Sequence, residues 1–290
     1  MDRAPSGTAS REATLGADPR RRTPGTVGMY LRLIGVSVRG QMQYRGTFLV
    51  MSLGQLLTHS LEPFAIWALF DRFGSLAVWS LPQVALLYGT VSVAFAFTDA
   101  LARGFDLFGD QFIKTGNFDR VLLRPRPLVP QVAGHEFTLF RVGRLIPGLA
   151  VLVWALWSLE IDWNAGRVLL LALSLAGTFL FFYGLIILQA TLAFWTTETL
   201  HIFNLLTYGG VETAQYPLAI YARDFRRFFT FVVPLGCVTY FPLVGVMGVP
   251  DPLGSTAWMQ FAAPFAGFAF FGASLLAWRT GVRHYTSTGS

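Results

Sequence analysis

The stretch VLLLALSLAGTFLFFYGLIILQATLAFWTT, residues 168–197, decides the fold class because it holds thirty residues without one charged side chain. A helix needs only about 20 apolar residues to cross a bilayer. Residues 228–250 and 252–278 are also free of charged side chains. The composition agrees, since 13% of the residues are charged, against about a quarter in soluble domains. The sequence therefore predicts an all-α, polytopic membrane protein.

Two segments precede the first apolar run. Residues 1–26 carry arginines among Pro, Gly, Ser and Thr and lack an apolar core, which predicts a disordered cytosolic tail with no signal peptide. In residues 27–45, apolar side chains recur at roughly helical spacing between arginines. That pattern is typical of an amphipathic helix lying in the membrane interface.

Residues 46–290 are predicted to form a single transmembrane domain. Its first four spans are expected at residues 46–70, 82–101, 137–159 and 167–195, with a charged loop over residues 102–136 between the second and the third. Arg141 and Arg144 fall in the first turns of the third span, and we expect these long side chains to reach the lipid headgroups.

The arginines and the lysine indicate the orientation. Seventeen of the 22 basic residues face the cytosol if the N-terminus lies inside, as the positive-inside rule requires. Arg223, Arg226 and Arg227 are contested. The C-terminal half holds three apolar segments, 199–222, 228–250 and 257–278, and an inside C-terminus permits two crossings. Charge favours 228–250 as a span, whereas Pro234 and Pro242 favour a broken, re-entrant element, so both arrangements stay open.

Several functional classes lack their motifs. A phosphate-binding loop of the G-x-x-x-x-G-K-[ST] type needs a lysine after its second glycine, and Ile113 precedes Lys114, the only lysine of the chain. The four histidines lack metal-ligand spacing, and the single cysteine, Cys237, lies in an apolar run. The net charge of +6 follows from membrane orientation, so no nucleic-acid partner is expected.

Ionisable side chains inside a span are candidates for function. Glu62 lies fifteen residues past Thr47, about 22 Å along the first span. His59 shares its helix face three residues earlier, so the two can pair or line a polar cavity. The alternative is that Glu62 sits at the outer headgroup boundary. Glu62, Asp99 and Glu212 would be the proton carriers if the protein were a proton-coupled secondary transporter.

The loop sequence GNFDRVLLRPRPL, residues 116–128, predicts a docking helix along the membrane surface. Its charged residues avoid hydrocarbon, its apolar residues form one face of a short helix, and Pro125 and Pro127 stop that helix. The apolar face consists of Phe118, Val121, Leu122 and Leu123.

Three stretches resemble the permeases of type-2 ABC exporters, particularly the small six-span permeases of daunorubicin-type and other drug-resistance systems. They are GNFDRVLLRPRPLVPQ (116–131), YPLAIYARDFRRFFTFVVPLGCVTYFP (216–242) and the basic ending RTGVRHYTSTGS (279–290). The resemblance implies an interfacial N-terminal helix, six transmembrane helices with the fifth at 199–216 and the sixth at 257–278, a cytosolic coupling helix, and an outer re-entrant hairpin at 217–248. It places Arg223, Arg226 and Arg227 outside, against the charge count.

The resemblance also implies the partners. Two copies of an ABC ATPase subunit and a second permease, identical or paralogous, would complete an exporter in the plasma or inner membrane, with both termini cytoplasmic. ATP and Mg²⁺ would be bound by the ATPase. This chain would bind no cofactor and would not be an enzyme. The residues implied in ATPase coupling are Gly116, Asn117, Phe118, Asp119, Arg120, Leu122, Leu123, Arg124, Pro125 and Arg126. Phe118, Leu122 and Leu123 would occupy an ATPase groove, and His59 and Glu62 would face the substrate path.

Overall fold

The computed structural model describes residues 26–196 and 205–286. Within these ranges the chain is helical, and its only extended pairing is an isolated bridge between Leu76 and Trp79. Two predicted features lie wholly or partly outside the described residues. They are the tail, apart from its last residue, and residues 199–204 of the predicted fifth span.

The helices follow one another along the chain with short connections. The α-helices of the described residues are α1 (Thr26–Gln43), α2 (Arg45–Phe73), α3 (Leu81–Leu101), α4 (Arg103–Asp106), α5 (Asn117–Leu122), α6 (Leu128–Ala133), α7 (Leu145–Ser158), α8 (Ala165–Leu192), α9 (Gly210–Ala214), α10 (Arg223–Arg227), α11 (Leu235–Val238), α12 (Tyr240–Met247), α13 (Ala257–Ala262) and α14 (Phe265–His284). Residues 139–144 and 218–220 are 3₁₀-helical, and residues 109–113, 205–209 and 228–232 form π-helical turns.

Four helices in the described part are long and apolar enough to cross a membrane: Leu81–Leu101, Leu139–Ser158, Ala165–Leu192 and Ala257–His284. They lie where the sequence predicts spans two, three, four and six. The pair Arg223–Val232 and Leu235–Met247 is bent by 74° and raises the count to five if it is one span. A proline, Pro234, stands at the bend, where it cannot supply a backbone donor.

The first predicted span differs from these four. Helix α2 has 29 residues, which is ample length, but it is not among the helices that are apolar enough. Polar side chains such as Gln55, His59 and Glu62 interrupt it. The interfacial helix and this span are separated by a break at Tyr44, and α2 then continues to Phe73, three residues past the expected end.

Helices α8 and α14 pack against each other in parallel through small residues. Gly177, in the middle of α8, faces Gly267 near the start of α14, and Gly281 faces Thr191 near the ends of both helices. A Cβ added at Gly267 would lie 2.2 Å from the carbonyl oxygen of Gly177, so this approach requires glycine. Small residues that let helix backbones meet closely are typical of packing within membranes.

The molecule has two distinct ends along its helices. Connectors 74–80, 159–164 and 248–256 form one of them, which we call the connector end. There the rings of Trp79 and Tyr240 are 5.8 Å apart, and Gly248 abuts the guanidinium of Arg167. Helix α5 lies at the other end, because Phe118 contacts Tyr285, just beyond the 20 residues or about 30 Å of α14.

The connector end is held by one carboxylate. Asp251 accepts a hydrogen bond from the Tyr240 hydroxyl at 2.6 Å and bonds from the backbone amides of Leu253 and Ser255 at 2.9 and 3.0 Å. Burial alone raises the pKa of the Asp251 carboxyl, but its hydrogen bonds from Ser255, Tyr240 and Leu253 outweigh burial and hold that pKa below its usual value.

Candidate functional site

Helix α5 is set up by the turn that precedes it. Gly116 has a φ of +67°, a left-handed conformation that glycine adopts without strain. The Thr115 hydroxyl donates to the Gln111 carbonyl at 2.5 Å and accepts from the Asn117 side-chain amide at 2.8 Å. The helix ends at Leu122, before the two prolines that the sequence analysis identified as stops.

One face of α5 is buried inside the chain itself. Phe118 is fully buried, and its ring lies 5.1 Å from Phe108, 5.5 Å from Phe194 and 5.0 Å from Tyr285. These rings belong to a larger group, the aromatic cluster, formed by Phe105, Phe108, Phe112, Phe118, Phe194, Trp278 and Tyr285. The expectation that Phe118 occupies a partner's groove is therefore corrected, because its own chain already fills the space around that ring.

The other face of α5 is open. Leu123 is 85% exposed and Leu122 is 41% exposed, although both are apolar. Arg120, Arg124 and Pro125 are exposed beside them. Among the remaining predicted coupling residues, Asn117 is exposed, and Gly116, Asp119 and Arg126 are half-buried. The structure thus brings an apolar tip and two arginines together on one surface, which we call the α5 tip.

Trp278 connects this surface to the long helices. Its ring centroid lies 5.0 Å from Phe105, 4.9 Å from Phe108 and 6.3 Å from Phe118. Phe105 belongs to α4, Phe118 to α5 and Trp278 to α14. Edge-to-face aromatic contacts of this kind add to the burial of each ring. Packed rings therefore connect α5 directly to α14.

Two ion pairs lie near the end of α3. The Arg141 guanidinium donates to the Asp99 carboxylate, and Arg103 donates to Asp106. Burial raises the pKa of the Asp106 carboxyl, although the nearby Arg103 charge opposes this. Arg144 is also buried, with its guanidinium 4.8 Å from the Phe95 ring centre. The expectation that Arg141 and Arg144 extend to lipid headgroups is therefore wrong.

The second group of predicted site residues lies on α2. Nδ1 of His59 is 3.3 Å from Oε1 of Glu62, so the pair expected from their spacing is present. The hydroxyl of Tyr88, on α3, can donate to Oε2 of Glu62 at 3.1 Å or to the His59 carbonyl at 3.4 Å. That carbonyl is free within α2 because Pro63, four residues later, has no N–H to donate.

This polar pair is well inside its helix. Glu62 precedes the end of α2 by eleven residues, about 16 Å, which places it away from the helix end. Its side chain is 40% exposed. A mostly apolar cavity of about 200 Å³ lies beside it, between α2, α3 and α7, and includes Tyr88 and Pro63 in its lining. Glu212 is exposed on α9, and none of the hydrogen bonds among the described residues joins it to His59, Glu62 or Tyr88.

Sequence reasoning missed two contributors, Tyr88 and Trp278, and the pairing of Asp99 with Arg141. Tyr88 reads as one more aromatic residue of an apolar span, and its pairing depends on the neighbouring helix. Asp99 was identified as an ionisable residue, but its partner Arg141 is 42 residues away. Trp278 stands at the end of an uncharged run, where a tryptophan usually lies at the level of the lipid headgroups, so its sequence position does not indicate packing inside the protein. In the described residues, no group of histidine, cysteine, aspartate and glutamate side chains can hold a metal ion.

Comparison with protein-family models gives a match to most of the chain. A family model described as ABC-2 family transporter protein matches residues 56–289. That range includes the α5 tip, the aromatic cluster and the polar pair of α2. No curated protein matches the chain, and no solved structure matches it.

Proposed function

This chain belongs to the ABC-2 family of transporter proteins, a family of membrane transport components, and we propose that it is the permease subunit of an ATP-driven exporter. In this proposal two permeases, identical or paralogous, form the path for the passenger, and two copies of a separate ABC ATPase drive it. The observation that carries the proposal is the division of α5 between a fully buried Phe118 and an exposed Leu122–Leu123 tip.

The exposed tip has the chemistry of a docking surface. Two exposed leucines are poorly placed in water but suit an apolar groove of a partner, and Arg120 and Arg124 can set the register by charge. The same residues would also suit a surface that simply lies against lipid headgroups. The buried half of α5 favours docking, because a helix that only anchors to lipid has no need of a packed connection to α14 and α8.

The coupling step follows from this packing. Closure of the ATPase pair on ATP would displace α5, and the aromatic cluster would pass that displacement to α14 through Trp278 and to the end of α8 through Phe194. Two arrangements of the permease pair, whose equilibrium is shifted by this displacement, would alternately close and open the path. ATP and Mg²⁺ would be bound in the partner, consistent with a chain whose one lysine is outside any phosphate-binding loop.

In the proposed topology the chain crosses the cell membrane six times, with both termini in the cytosol. Tyr208 packs 5.7 Å from Phe95, and Gln215 reaches the Ser92 hydroxyl at 3.5 Å, so residues 205–215 run along α3 toward the connector end. This supports a fifth span over 199–216. The bent pair after it ends beside connector 74–80, which supports an outer re-entrant element.

A labelling experiment tests this topology. With Cys237→Ser as the background, the Arg226→Cys protein is expected to react with an impermeant maleimide added to intact cells. Reaction only after permeabilisation would instead place residue 226 in the cytosol and make residues 228–250 the fifth span.

A proton-coupled secondary transporter is less well supported. Its three carriers would be Glu62, Asp99 and Glu212, but Asp99 is held by Arg141, so that protonating Asp99 would break a buried ion pair. The polar pair of α2 fits better as part of the passenger path. There Glu62 and Tyr88 would offer hydrogen bonds next to an apolar cavity.

Measuring ATP hydrolysis separates the two functions. The purified chain is expected to show no ATPase activity by itself, and to change the activity of a co-purified ABC ATPase when both are reconstituted in lipid. Hydrolysis by the isolated chain, or export driven by a proton gradient without any ATPase, would refute the proposed function.

A further inference from the structure

A cavity of about 490 Å³ lies apart from both groups of site residues. It is open on one side and is bordered by α1, by the first turns of α2, and by residues 136–140, which lead into the candidate span Leu139–Ser158. Because it sits where a span begins, it is at the level at which lipid headgroups meet acyl chains. Its size lies within the range of about 300–1,000 Å³ that small-molecule sites occupy.

The walls of this cavity are fixed by side chains that bond across it. The Gln41 amide donates to the Phe137 carbonyl, and its oxygen accepts from the Leu139 backbone amide at 2.9 Å. The Ser37 hydroxyl accepts from the backbone amide of Phe137 at 3.3 Å. Helix α1 is thereby attached to a segment about a hundred residues away, so the cavity is a built feature of the fold.

The lining has the chemistry of a cation site. Among the described residues, Glu136 is the only acidic residue of the lining, and no lysine, arginine or histidine contributes to it. Gln111 donates to one carboxylate oxygen of Glu136 at 3.0 Å, which orients the carboxylate and engages only one of its two oxygens among the described residues. The rings of Tyr44 and Phe48 also line the cavity. A carboxylate and aromatic rings in one cavity suit an organic cation, through charge pairing and cation–π attraction.

We propose that this cavity binds the ammonium group of an alkylamine-type amphiphile. The ammonium would lie against the Glu136 carboxylate, with the ring of Phe48 or Tyr44 against its charge. The alkyl part would follow the apolar lining toward Met51 and the bilayer. The same group occurs in a soluble long-chain amine and in the ethanolamine headgroup of a membrane lipid.

Photolabelling of the full chain in nanodiscs tests this site. The probe is a dodecylamine bearing a diazirine, in discs of phosphatidylglycerol alone, with mapping of the labelled peptides by mass spectrometry. Label is expected in residues 37–51 and 136–140, and unlabelled dodecylamine should suppress it. Glu136→Gln should raise the half-suppressing concentration at least about tenfold, because a charged hydrogen bond is lost while the side-chain shape is kept.

Controls make the result specific. Glu160→Gln removes the same charge at the other end of the α7 span and is expected to leave labelling unchanged. Adding phosphatidylethanolamine to the discs distinguishes the sources: suppression of the label supports a lipid headgroup as the ligand, and no suppression supports a soluble amine. Equal labelling of wild-type and Glu136→Gln protein, or label only outside the cavity, would overturn the proposal.

Discussion

Substituting the two faces of α5 separately distinguishes its role in folding from its role in docking. Phe118 is fully buried among rings of the same chain, whereas Leu122 is 41% exposed at the α5 tip. Phe118→Ala is therefore expected to destabilise the permease itself. Leu122→Asp is expected to leave the permease folded and to weaken its association with the ATPase.

The magnitudes differ enough to be told apart. Replacing a fully buried phenylalanine by alanine lowers the free energy of unfolding by about 3–5 kcal/mol, because the burial of the ring is lost and a cavity is left behind. For a chain of this size that lowers the unfolding temperature by roughly 10 °C. Leu122→Asp would place a charge in the apolar contact with the partner, which should cost about 2 kcal/mol of binding free energy, a roughly 30-fold loss of affinity.

Thermal unfolding of the detergent-purified chain and its affinity for the ATPase subunit are the two readouts. The Phe118→Ala protein should unfold at a lower temperature, and Leu122→Asp should unfold as the wild type does and bind about 30-fold more weakly. Leu122→Ala serves as the intermediate case, because it removes the apolar contact of the Leu122 side chain without adding a charge. Normal stability of Phe118→Ala, or undiminished binding by Leu122→Asp, would refute the division of α5 into two faces.

Three further predictions concern other parts of the molecule. Gly267→Ala should destabilise the protein by about 1–3 kcal/mol and lower its unfolding temperature, because the added Cβ would meet the backbone of α8. Gly272→Ala, on the same helix but with open space around it, should leave the unfolding temperature unchanged, and equal effects of the two substitutions would contradict the packing. The carboxyl of Asp251 has a lowered pKa, so its contribution to stability is present at neutral pH and is lost as the pH falls below about 4. Asp251→Asn should flatten that acidic decline in a pH series of unfolding temperatures, and an unchanged decline would contradict the role given to Asp251. Glu62→Gln should alter the apparent affinity or the range of exported compounds with normal expression, and unaltered export of every compound tested would remove Glu62 from the path.

The membrane class and most spans could be predicted from the sequence because they depend on local composition. Uncharged runs of at least 20 residues leave few alternatives to a spanning helix. The 74° bend at Pro234 lies inside the segment whose prolines indicated a broken element. Helix α2 is harder to predict, because its polar residues lower its mean hydropathy and its partners, such as Tyr88, come from another helix.

The orientation of the site residues could not be predicted in the same way. In residues 116–128 the apolar side chains form one face by periodicity, but the structure divides them between Phe118 inside and Leu122 and Leu123 outside. That division is made by Phe194 and Trp278, which follow Phe118 by 76 and 160 residues. A contact over such a separation leaves no local pattern in one sequence.

The central claim, that the α5 tip contacts an ABC ATPase, is tested most directly by crosslinking from Leu123. A photoreactive amino acid is placed at this position, which is 85% exposed, and the protein is irradiated in its native membrane. The account predicts one crosslinked partner whose peptides contain a phosphate-binding loop, and a weaker crosslink when Leu122→Asp is added. Absence of such a partner, or a crosslink of equal strength from the opposite end of the molecule at Val78, would contradict it.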